Sequence, residues 1–191
     1  MGFGLVGDHH KFFKERGWIE FQDLVPTEKL AAVQRGKGST EALFIGGHDL
    51  WRRHDAVAKL VCRKELSETA SSLFETKPLR LAYDQFLPAD RGAPIYCLPL
   101  CAPGATLTNT SSLQGVVGGL LLRFSDGAGI FLGPHAMAPL DTAQDYLLIV
   151  YAQRTTLYWP EPADPHAHGL KRLGYVFGDR LSDEFHPILV W

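Results

Sequence analysis

The chain has 191 residues, of which 46% are hydrophobic and 21% charged, and a formal net charge of −2. This is enough apolar content for one domain, residues 1–191, with a substantial core. A net charge of −2 gives no reason to expect nucleic acid or an anionic membrane surface as partner. No run reaches the roughly 20 apolar residues of a bilayer span. The N-terminus has no basic stretch leading into an apolar signal core, so a cytoplasmic location is expected. The three cysteines, Cys62, Cys97 and Cys101, complete no zinc motif and are expected to be buried thiols in a reducing compartment.

Residues 1–77 read as helical. "DHHKFFKERGW" offers Asp8 as an N-cap and Gly17 as a stop, and "WIEF" then alternates like a short strand. "VPTEKLAAVQRGKG" restarts at Thr27. "HDLWRRHDAVAKLVCRKEL" spaces Leu50, Val57, Leu60 and Val61 helically, with Asp49 as a cap, and "SETASSLF" makes a further helix ending before Pro78. In a helix His48 and His54 would face different ways and could not share a metal.

Residues 78–191 read as β-rich. "LRLAYDQFL", "IYCLPL", "GVVGGLLLRF", "GIFLG", "DYLLIVYA", "TTLYW", "LGYVFG" and "PILVW" are short apolar or alternating runs. Gly, Pro, Asp and Asn interrupt them at intervals of roughly ten residues, as in a sandwich, jelly roll or barrel. Gly118 and Gly119 sit where neighbouring elements would approach closely. Tyr151, Tyr158 and Trp159 are expected in the core or in a pocket wall.

The opening "FFKERGWIEFQDLVPTEKLAAVQ", the stretch "LWRRHDAVAKLVCRKELSETASSLF" leading into "LRLAYDQFL", and the closing "LKRLGYVFGDRLSDEFHPILVW" together resemble the phytanoyl-CoA dioxygenase family of iron(II)/2-oxoglutarate oxygenases. The resemblance implies a mainly β fold with N-terminal helices, a double-stranded β-helix or jelly roll of the cupin-like kind. It also implies a facial triad of two histidines and a carboxylate, with an arginine or lysine about ten residues after the distal histidine for the far carboxylate of 2-oxoglutarate.

His135, after "GIFLGP", stands where that distal histidine is expected. The strand that should carry His-x-Asp instead offers Gln114, Gly115 and Val116, and the expected cation position holds Asp145 and Tyr146. The implied site is therefore degenerate, and neither iron nor 2-oxoglutarate is expected as a cofactor. Gln114, His135, Arg123, Tyr151 and Arg154 are the candidates for a surviving pocket, with Arg123 or Arg154 able to reach in from a neighbouring strand. The expected role is non-catalytic binding of a small molecule or a protein. The alternative is a metal-dependent oxygenase using iron(II) and 2-oxoglutarate through a non-standard set drawn from His135, Asp164, His166, His168 and His186. "DPHAH" otherwise reads as a polar loop, and no Gly-x-Ser-x-Gly elbow or phosphate loop is present.

Overall fold

The computed structural model describes residues 4–35, 47–89, 100, 102–164, 166 and 169–191. Helix α1 (Gly7–Arg16) begins after Val6, whose N–H donates to His9 Nδ1, and ends at Gly17 in the left-handed conformation. Asp8 lies inside its first turn rather than at the cap, where its charge still favours the helix N-terminus. Strand β1 (Trp18–Phe21) and helix α2 (Thr27–Arg35) follow as the sequence suggests.

The region expected to be one helix and a fragment is divided differently. A single 3₁₀ turn (Leu50–Arg52) precedes α3 (Asp55–Val61), and "SETASSLF" belongs to α4 (Lys64–Leu73). Arg63 adopts extended backbone between the two helices and breaks the run.

The body contains β2 (Leu79–Leu87), β3 (Leu113–Arg123), β4 (Gly129–Leu132), β5 (Tyr146–Tyr158) and β6 (Ile188–Val190). All pairings are antiparallel, and the strands form one curled six-stranded sheet in the order β1-β4-β3-β5-β2-β6. Three expected runs differ, and "IYCLPL", except for Leu100, lies outside the described residues. "DYLLIVYA" and "TTLYW" are the two ends of one strand, β5. "LGYVFG" is a turn between Gly174 (φ 90°) and Gly178 (φ 86°), leaving Val176 and Phe177 exposed.

Alternation along the strands separates two apolar layers. Leu79, Leu81, Leu120, Leu122, Leu147, Ile149 and Tyr151 face the helices, against Phe13, Leu60, Leu66, Ala70 and Leu73. Ala82, Tyr83, Leu121, Leu148, Val150 and Ala152 face the other way, against Leu107, Leu113, Tyr175 and Leu181. Both sheet faces are covered, which is why β2 is buried along its whole length. Gly118 allows the helix layer to dock, since a Cβ there would lie 2.5 Å from the Phe74 ring and 2.8 Å from Leu132 O.

Beyond the short β6, the free edge of β2 is closed by the segment before the 3₁₀ turn. Gly47 O accepts from Phe86 N at 2.8 Å, His48 bridges to Gln85, and Asp49 N donates to Asp84 O at 2.8 Å. Cys62, expected to be buried, is exposed at the end of α3; Cys97 and Cys101 lie outside the described residues.

Candidate functional site

The segment that closes the β2 edge also builds the wall of a small cavity. Its volume is about 20 Å³, room for one water-sized occupant. His48 and Asp49 enter from this segment, Tyr83 from β2, Ser111 and Ser112 from the approach to β3, and Asp164 and His166 from the connection after β5.

Three rings stack across it. The His48 imidazole lies 4.9 Å from the Tyr83 ring on one side and 4.3 Å from the His166 imidazole on the other, with interplanar angles of 26° and 23°. Burial lowers the His48 pKa, more strongly than Asp49 and Asp164 raise it. Burial, then the neighbouring His48, pushes His166 down to about 4. The Tyr83 phenol is pushed well above its ordinary range by burial and by Asp164. At neutral pH the stack is therefore uncharged.

The two carboxylates beside it are held differently. Asp164 accepts from Ser112 N through Oδ2 and from His166 N through Oδ1, each at 2.8 Å, so it fastens the loop to the start of β3. Asp49 sits at φ 54°, a left-handed conformation that costs an aspartate energy. Its Oδ2 accepts from Arg52 Nε at 3.1 Å and lies 3.8 Å from His48 Nδ1. Its Oδ1 is buried without a hydrogen-bond partner.

This arrangement does not fit a facial triad. Imidazole lone pairs lie in the ring plane, so two nearly parallel stacked rings cannot aim them at one ion. Among the described residues no three His, Cys, Asp or Glu side chains are grouped to hold a metal. The position expected for the 2-oxoglutarate cation does not fit either. Asp145 Oδ1 accepts from Ala89 N at 2.7 Å, and the Tyr146 hydroxyl accepts from Asp141 N at 3.3 Å.

The residues singled out in the sequence are scattered. His135 is exposed on the turn after β4, and Gln114 is exposed on β3. Arg123 is engaged by Asp126 at 2.7 Å and Glu20 at 3.0 Å. Tyr151 is on the helix side of the sheet, its buried hydroxyl unpartnered and its pKa raised by burial. Arg154 is exposed near the far end of β5, with its guanidinium 5.8 Å from the Trp191 ring. Asp164 and His166 do come together at the cavity, whereas His168 lies outside the described residues.

His186 belongs to a buried network that Arg52 joins to Asp49 in the cavity wall. Arg52 Nη2 lies 3.4 Å from its Nε2, and Tyr175 Oη lies 2.9 Å from its Nδ1. Arginine can only donate, which assigns the ring proton to Nδ1. Burial and Arg52 push His186 down to about 3. Tyr175 Oη also accepts from Ser182 N at 2.8 Å, so the hydroxyl proton points to Ser182 Oγ at 3.1 Å.

Sequence reasoning missed the pairing of His48 with His166. The available signal was "GGHD", since two glycines immediately before His48 and Asp49 argue against helix at that point.

No protein-family model matches the chain, and no curated protein matches it. Solved structures do. A non-haem α-ketoglutarate-dependent carbocyclase, SnoK from nogalamycin biosynthesis, matches with a TM-score of 0.71 at 13% identity over 96% of each chain. The epimerase SnoN of the same biosynthesis, also α-ketoglutarate-dependent, gives 0.63 at 11% identity over 94% of this chain and 96% of that one. CT296 from Chlamydia trachomatis gives 0.56 at 19% identity over 80% of this chain and 97% of its own. At these identities the likeness concerns the fold, and the expected mainly β jelly roll with N-terminal helices is the fold observed.

Proposed function

We propose that this chain is a non-catalytic binding protein on the oxygenase fold, phytanoyl-CoA dioxygenase-like in layout, with a degenerate iron/2-oxoglutarate site. The observation that carries the reading is Asp145. Where the resemblance calls for a fixed cation, its carboxylate accepts the Ala89 N–H and would repel the dianion. A buried unpaired charge costs several kcal/mol, so 2-oxoglutarate has no reason to settle there. A cytoplasmic location accompanies the reading, and among the described residues no helix is long and apolar enough to cross a membrane.

A second reading is a metal enzyme with non-standard ligands. Asp49 Oδ1, buried and unpartnered beside two neutral imidazoles, favours it. It requires the His48 and His166 rings to leave their stack and turn their nitrogens toward one point.

One experiment separates the two. Purified full-length protein is analysed for bound metal and titrated calorimetrically with 2-oxoglutarate in the presence of manganese(II). The binding-protein reading expects well under one metal per chain and no heat of binding at millimolar 2-oxoglutarate. Stoichiometric metal that disappears in Asp49→Asn establishes the second reading instead, as does succinate release.

A further inference from the structure

A larger concavity lies elsewhere, where residues 180–183 run past the ends of β2 and β5. Its volume is about 430 Å³, within the range of small-molecule sites. Its charged lining consists of Arg80, Arg154, Arg180 and Asp183, with the hydroxyl residues Thr155 and Ser182 between them. Three guanidiniums thus face one carboxylate.

That carboxylate is already committed. Arg80 is 1% exposed; its Nη2 donates to Asp183 Oδ1 at 2.7 Å and its Nη1 to Leu181 O at 2.6 Å. Its Nε is buried with no hydrogen-bond partner. Asp183 is 57% exposed, so water weakens the compensation it gives this buried cation. Among the described residues no carboxylate lies within ion-pair distance of Arg154 or Arg180. The contact of Arg154 with the Trp191 ring restrains its guanidinium without neutralising it.

The groove is not the cosubstrate position of the oxygenase resemblance. Arg154 lies eight residues along β5 from Tyr146, roughly 26 Å at the rise of a strand. The excess of cations is therefore local to this end of the sheet. A planar carboxylate is satisfied by the fork of one guanidinium. A tetrahedral anion with three terminal oxygens can accept from several cations approaching from different sides, and from hydroxyl groups between them.

We propose that the groove bounded by Arg80, Arg154 and Arg180 binds a phosphate group, either free or carried on a small organic molecule. The inference is independent of whether the chain turns over 2-oxoglutarate, and its readout involves no metal.

The test is calorimetric titration of the full chain, at low ionic strength, with inorganic phosphate, glycerol phosphate and malonate. Saturable binding of phosphate or its ester is expected, with malonate much weaker. The tighter of the two phosphate probes identifies the source. Arg154→Ala and Arg180→Ala alter exposed residues, and each should weaken binding at least about tenfold while leaving the circular dichroism unchanged. Lys171→Ala, which removes an exposed cation outside the groove, should bind as the wild type does. The proposal is overturned by no saturable phosphate binding, by malonate binding equally well, or by affinity unchanged in both arginine variants.

Discussion

His166 stacks its imidazole on that of His48 with ring centroids 4.3 Å apart and planes 23° from parallel. The residues are 118 positions apart in the chain, and the contact closes the connection after β5 onto the segment before the 3₁₀ turn. Two imidazolium ions could not share this place, because each would lose its water and repel the other. The stack is a device for neutral rings, and protons act against it.

The first prediction is a stability maximum near pH 6.5. In the native state His48 is lowered, His166 lies near 4 and His186 near 3, against 6.5 when unfolded. Between about 4 and 6.5 the unfolded chain binds more protons at these sites, so their contribution, complete above 6.5, is lost as pH falls through that window. Asp84 acts in the opposite sense. Burial raises it to about 8 from 3.8, so its contribution is present at low pH and is lost as pH rises toward 8. Three imidazoles outweigh one carboxyl below 6.5, and Asp84 dominates above it. Urea midpoints measured from pH 4.5 to 8.5 should therefore fall on both sides of 6.5. A midpoint that rises on acidification would count against the neutral stack.

Asp84 itself can be isolated. Its two carboxyl oxygens accept from Trp51 N at 3.0 Å and Leu50 N at 3.2 Å, anchoring the 3₁₀ turn to β2. Asp84→Asn keeps one of the two acceptors without the charge and sets its amide nitrogen against the other N–H, so it should cost about 1–2 kcal/mol at pH 6, while the decline in stability between pH 6.5 and 8 should disappear. Asp84→Leu leaves two amides unpaired and should cost about 2–4 kcal/mol. Chemical denaturation of the two variants at pH 6 and pH 8 distinguishes these effects.

His48 offers a matched pair of substitutions. His48→Phe retains a ring face for Tyr83 and His166 and should stay within about 1 kcal/mol of wild type at pH 7. It should also shed one proton from the uptake on acid unfolding. His48→Ala loses both ring contacts and should cost about 1–3 kcal/mol. Equal stability of the two variants would show that the stack contributes nothing.

The docking of the helices can be probed at Gly118. A methyl group there meets the Phe74 ring and a backbone carbonyl of β4 at once. Gly118→Ala should therefore destabilise by about 1–3 kcal/mol. Gly4→Ala, with nothing within 4 Å of the added carbon, should change stability by less than about 0.5 kcal/mol. Thermal melts of both variants give the comparison.

Strand identity was legible where a short, unbroken apolar run is bounded by turn residues, as in the Leu-rich stretches of β3 and β5, which are buried on both faces. It failed where polarity had another cause. Gln153, Arg154 and Thr155 look like a loop because three polar residues adjoin, yet β5 continues through them with their side chains exposed. "LGYVFG" looks like a strand, but the left-handed glycines at both ends turn the chain and expose Val176 and Phe177. The cavity was harder to read still. His166 and Asp164 were noticeable as a cluster, but their partner His48 comes from the N-terminal part and is brought there by the pairing of Gly47, His48 and Asp49 with the edge of β2. Pairing across such a separation depends on the sheet order, which local spacing does not encode.

The segment from Gly47 to Arg52 has a consequence beyond the cavity it lines. It occupies the outward peptide groups of β2 at Asp84 and Phe86, which β6 is too short to reach. Uncovered, they would form a row of free donors and acceptors in an apolar strand, the kind of template that recruits a strand from another molecule. Weakening the Asp84 anchor would thus reveal itself in self-association. Light scattering should grow at temperatures where circular dichroism still reports a folded sheet, and the fraction recovered in inclusion bodies should rise by more than the lost stability alone accounts for.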